Sequence, residues 1–318
     1  MNHRHAASRR AWLSGLAGAV ILALTGCAFT ASSGQPTVSS ADTLRGYFEA
    51  LAASDAAGAL KYAATPPSDT TFLTDAVLQA SNAISPIGNI EAVANNTGNG
   101  YANFTIGTQP ATADVNLVQV DGAWALPSVA SSVNLSEVYL AGQGMTLDNV
   151  ALDTLTSPAQ VTLFPGTYQL AVGNPLLAVA PDQVVVTTPV EPMRFNGKVV
   201  LAADAQPTLA AAAKSKLDAC MAEKQLMTSC GFGYSEVFDE DDQSTVVWTV
   251  TPGYDDDFTT CQFGLRTGTL KAWCTKKLDL TVTWSTTDGQ RWTGGVTMGS
   301  VSLDVTDPAN IAVTFSAF

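Results

Sequence analysis

From residue 278 onward, apolar and polar residues alternate with a period of two, and this constrains the fold more than any other feature. Leu278, Leu280, Val282 and Trp284 alternate with Asp279, Thr281 and Thr283. Successive side chains of a strand point to opposite faces, so such a segment buries one face and wets the other. Val301, Leu303 and Val305 repeat the pattern, as do Ile311, Val313 and Phe315. Asp288-Gly289 supplies a tight turn, and residues 292–298 return from it. Residues 245–250 add a further strand. Ahead of these strands, residues 209–222 read as a helix after Pro207, with Lys214 and Lys216 exposed and Cys220 near its end. One helix and a twisted antiparallel sheet are therefore expected for residues 194–318.

The beginning of the chain carries an export pattern. Arg9-Arg10 precedes an apolar stretch over residues 11–24, too short for a stable membrane span. It ends in Leu24-Thr25-Gly26-Cys27, which resembles the bacterial lipobox. The resemblance implies cleavage between Gly26 and Cys27 and a diacylglyceryl group on Cys27. Ser8-Arg9-Arg10-Ala11-Trp12-Leu13 resembles a twin-arginine signal, while a basic start equally fits the general secretory route. Four cysteines follow Cys27: Cys220, Cys230, Cys261 and Cys274. An even number in an exported chain reads as two disulfides. Pairing of neighbours closes short loops and is expected, each bond contributing roughly 2–3 kcal/mol. A four-cysteine metal site is the alternative, without a Cys-x-x-Cys pair to support it.

Loss of residues 1–26 leaves 12 basic against 28 acidic residues, a balance of −16. Such a chain is repelled by nucleic acid. Both histidines, His3 and His5, lie in the removed segment. The mature chain thus lacks the base of Ser-His-Asp or Cys-His catalysis and the imidazole of His-ligated metals. No phosphate-binding glycine loop or nucleophile elbow is present, and no cofactor is expected. The Lys-poor, Ala/Thr-rich style resembles that of secreted actinobacterial proteins.

Residues 27–39 are small and polar, a tether. Ser40 reads as the cap of a helix carrying Leu44, Tyr47, Phe48 and Leu51 on one face. Asp55 can cap a second short helix, stopped by Pro66-Pro67, and Ser68 or Asp69 a third with Phe72, Leu73, Ala76 and Val77 on one side. Strands follow at 87–94, 101–108 and 113–120, then Asp121-Gly122-Ala123-Trp124. Helices followed by this meander resemble the nuclear-transport-factor-like (cystatin-like) α+β roll over residues 40–130. The resemblance implies a curved sheet around a helix and a cone lined by Tyr47, Phe48 and Trp124, a place for an apolar ligand. Asp121-Gly122-Ala123-Trp124 and Asp288-Gly289-Gln290-Arg291-Trp292 leave an internal duplication open.

Residues 131–193 show no helix. Phe164-Pro165-Gly166-Thr167, between strands at 161–163 and 168–172, resembles the hairpin of PEGA-like β modules and implies a small β-sandwich. The expected class is thus α+β in three parts. Two acidic runs, 239–242 and 254–257, read as solvated loops rather than a calcium site, because a strand between them holds them roughly 20 Å apart. Trp248, Trp284 and Trp292 fall on apolar positions and are expected in the core, whereas Trp273, beside Cys274 and Lys271, is the tryptophan open to solvent. The chain reads as a lipid-anchored, non-enzymatic module on the outer face of the cell membrane. Its partner would be an envelope protein or a cell-wall polymer. The alternatives are a carrier of a small apolar ligand in the cone and a carboxylate-based enzyme.

Overall fold

A computed structural model describes residues 38–234, 237–254, 256–266 and 268–317. The export segment, Gly26, Cys27 and the tether up to residue 37 lie outside them. Helix α1 (Ser40–Ala52) is capped one residue earlier than expected: the Ser39 hydroxyl oxygen accepts from Asp42 N–H at 3.1 Å. Asp42 in the first turn complements the helix dipole. Leu44, Tyr47, Phe48 and Leu51 are fully buried, each contributing roughly 1.5–3 kcal/mol of apolar burial. Asp55 caps α2 (Ala56–Leu60) by accepting from Gly58 N–H. Helix α3 (Asp75–Ile84) is capped by Thr74, not by Ser68 or Asp69, so Phe72 and Leu73 precede it. It stops at Ser85, which the following Pro86 forces into an extended conformation.

Strands β1 (Ile87–Ala94), β2 (Asn99–Ile106) and β3 (Gln109–Asn116) form an antiparallel meander, with α1 packed on β1 and β2. The helix-plus-sheet roll expected over residues 40–130 is not shown. The ladder of β3 ends where Leu117 N–H bonds the Gly98 carbonyl (2.8 Å). Strands β4 (Val118–Val120) and β5 (Ala123–Ala125) then make a separate hairpin. Its turn residues Asp121 and Gly122 have φ of 50° and 81°, the two positive values of a type I′ turn.

The middle of the chain is a set of small sheets. Strands β6 (Ser131–Asn134), β7 (Thr146–Leu147), β8 (Val150–Ala151), β9 (Gln160–Leu163), β10 (Gly166–Ala171), β11 (Leu177–Ala180), β12 (Gln183–Val186), β13 (Met193–Arg194) and β14 (Lys198–Leu201) follow in order. They pair as β12-β10-β7-β8, β13-β6-β9 and β11-β14. The hairpin expected at Pro165-Gly166 is absent, because β9 and β10 join different sheets. The corner is fastened to α3 instead: Thr167 N–H donates to the Ser81 hydroxyl at 2.9 Å, and Tyr168 Oη donates to the Phe164 carbonyl at 2.7 Å.

Helix α4 (Ala205–Met221) starts earlier than expected and keeps Pro207 in its first turn, where a missing N–H costs nothing. Strands β15 (Asp241–Val250), β16 (Gly264–Leu265), β17 (Lys271–Thr286), β18 (Arg291–Asp304) and β19 (Ala312–Ala317) form one antiparallel sheet, β15-β17-β18-β19, with β16 on the first part of β17. Leu209, Ala213 and Leu217 of α4 share a core with Trp248, Leu280, Leu303 and Phe315. Among the described residues strand outweighs helix, 41% to 19%, so the protein is mostly β rather than α+β. From Val38 onward it is a single compact unit. Its three cores interlock: Phe164 packs with α1, while Phe72 and Val77 pack with the middle strands.

Candidate binding surface

The residues that would have lined the cone are packing residues. Tyr47 and Phe48 have no exposed surface, and their rings meet edge to face at 5.0 Å. Phe48 also packs on Phe104 at 4.5 Å. The Tyr47 hydroxyl donates to the Val129 carbonyl at 2.5 Å, and burial holds its pKa well above the usual tyrosine value. Trp124 is half-buried at the rim of the same core. Tyr47 and Phe48 thus belong to one hydrophobic core, with Trp124 packed against it.

The cysteines pair as neighbours, Cys220 with Cys230 and Cys261 with Cys274, each with Cα atoms 6.0 Å apart. The first bond ties the end of α4 to the loop after it. The second staples the segment before β16 to β17 and builds a shallow cavity of ≈ 490 Å³ lined by Thr260, Gln262, Gly264, Trp273, Thr275 and Lys276 around the disulfide. Antiparallel pairing sets Gly264 opposite Trp273. A Cβ added at Gly264 would meet nothing within 4 Å, so the space over that glycine is open.

Trp273 is 48% exposed, between buried Ala272 and Cys274. Register carries its row across the sheet to Ser302 and Thr314. The next row holds Thr275, Ser300 and Ser316. One indole and five hydroxyls thus share a face with no charged side chain in either row. Lys276, at the edge, is occupied: its ammonium lies over the Phe258 ring at 5.4 Å and donates to the Asp257 carbonyl. Hydrogen bonds from the Thr259 hydroxyl and backbone hold the Asp257 carboxyl below its usual range, so it stays ionised and is a poor proton acceptor. The arrangement offers an indole for stacking and hydroxyls for hydrogen bonding.

The other tryptophans divide. Trp248 is 6% exposed and donates from Nε1 to the Gln225 carbonyl at 2.8 Å. Trp284 is half-buried and donates to Asp241 Oδ1 at 2.8 Å. Trp292, expected in the core, is 51% exposed. It pairs with Trp284 near the tip of the β17–β18 hairpin, at the far end from Phe315 and the deep core. Of the acidic runs, Asp241 and Asp242 begin β15, and Asp256 pairs with Lys214 at 3.1 Å beyond its other end. Among the described residues no group of three or more His, Cys, Asp or Glu is placed to hold a metal ion. No helix among them is long and apolar enough to cross a membrane.

The hydroxyl rows escape a search for aromatic or acidic motifs. Their signal is the choice of residue: Ser300, Ser302, Thr314 and Ser316 occupy successive polar positions of two alternating strands, with no charged residue among them. No protein-family model, no curated protein and no solved structure matches the chain.

Proposed function

We propose that the mature chain is a lipid-anchored, non-enzymatic binding module of the cell envelope, and that the Trp273 face takes a neutral stretch of cell-wall polysaccharide. The observation that carries the reading is the uncharged row of indole and hydroxyls in a chain of net charge −13. A pyranose ring presents C–H bonds on one face and hydroxyls around its edge. The indole π-face suits the first, and serine and threonine hydroxyls, which both donate and accept, suit the second. The Cys261–Cys274 bond holds the segment beside the indole in place before binding, which lowers the ordering cost.

Titration of residues 38–318 with soluble neutral cell-wall glycan tests the site. Trp273→Ala is expected to weaken binding about fivefold or more, since truncating a tryptophan that anchors an interface costs more than about 1 kcal/mol. Equal binding by the variant rejects the assignment. The tether is tested separately in cells: Cys27→Ala is expected to remove fatty-acid labelling and release the chain from the membrane fraction, and persistent labelling rejects the lipobox reading.

A further inference from the structure

A second, larger concavity lies where the middle strands meet the C-terminal sheet. It measures ≈ 860 Å³ and runs along β14, between the loop at residues 136–140 and the hairpin from β16 to β17. Half-buried Leu140, Val199, Leu201, Leu265 and Leu270 supply its apolar lining. The side-chain amide of Gln206 accepts from Phe263 N–H at 3.0 Å and donates to the Phe263 carbonyl at 2.8 Å. That pairing satisfies the backbone of the wall as a neighbouring strand would.

Three charged side chains line this groove: Glu137, Lys198 and Arg266. Glu137 is neutralised by its ion pair with Arg194. Lys198 and Arg266 have no ionic partner among the described residues. In a chain with 28 acids and 15 bases, two unpaired cations beside half-buried leucine and valine call for an anion attached to an apolar body. We propose that the groove binds a single-chain anionic amphiphile, a long-chain fatty acid whose carboxylate meets Lys198 and Arg266 while its tail lies over β14. The volume falls within the range of roughly 300–1,000 Å³ typical of sites for one small molecule, which favours one acyl chain over a diacyl lipid. Guanidinium suits a carboxylate because it can donate two parallel hydrogen bonds.

The probes are oleic acid, oleyl alcohol and an oleoyl lysophospholipid, titrated into residues 38–318 below their micellar concentrations. Oleic acid is expected to bind at one per chain, with the alcohol at least tenfold weaker. Exposed Lys198 and Arg266 can be replaced without touching a core, so Lys198→Ala/Arg266→Ala is expected to melt like the parent and lose about tenfold in fatty-acid affinity. Leu265→Glu, which charges the groove, is expected to weaken all three probes. Equal binding of acid and alcohol, unchanged binding by the double variant, or preference for the lysophospholipid would each overturn the proposal.

Discussion

Asp148 shows how a single carboxyl can work against the fold that holds it. With Asn149 it forms the two-residue turn between β7 and β8, at φ of 46° and 66°. Its Oδ1 accepts from Gln169 N–H at 2.8 Å, but Oδ2 is buried without a hydrogen-bond partner. Burial raises the carboxyl's pKa, with the Gln169 bond opposing. The folded state therefore prefers the protonated acid. Its stability is full below the unfolded value of about 3.9 and falls as pH rises through the higher folded value. Asp148→Asn keeps the Oδ1 acceptor, tolerates positive φ and removes the charge. It is expected to stabilise the protein at pH 7 by at most about 1 kcal/mol, because the buried charge is lost while an unpaired polar atom, now Nδ2, stays at the Oδ2 position. The gain should vanish near pH 3. Thermal melts at the two values check this, and equal gains at both would remove the charge from the explanation.

At the scale of elements, local signals were legible wherever they named their own turn or cap. The alternation around Leu278, Leu280 and Val282 is β17, and Asp121-Gly122 and Asp288-Gly289 are turns between paired strands. What failed was pairing, which depends on residues far away in the chain. Pro165-Gly166 carries a turn signal, yet Ser81 of α3 holds the corner and sends the flanking strands to different sheets. Trp292 alternates correctly but stands near the tip of a long hairpin. Trp273 was readable as an exposed tryptophan, while the hydroxyls beside it depend on the register of β18 and β19. The Cys261–Cys274 bond links that surface to stability. It closes a loop with a separation of 13 residues, so Cys261→Ala/Cys274→Ala should cost about 3 kcal/mol in denaturant unfolding and weaken glycan binding in the refolded variant. Full binding at reduced stability would separate the disulfide from the site.

Across the whole molecule, the three packed cores stand apart from the one edge proposed to bind ligands. The α1 region, expected to be a ligand-holding cone, spends Tyr47 and Phe48 on packing. The uncharged face and the apolar groove both flank β16, on the C-terminal sheet. Hydrogen exchange on residues 38–318, with and without neutral cell-wall glycan, tests this most directly. Added protection is expected only at residues 260–276 and in the Ser300–Ser302 and Thr314–Ser316 segments, with α1 and β1 to β3 unchanged. Protection centred on α1 and the first meander, or none at saturating glycan, would contradict it.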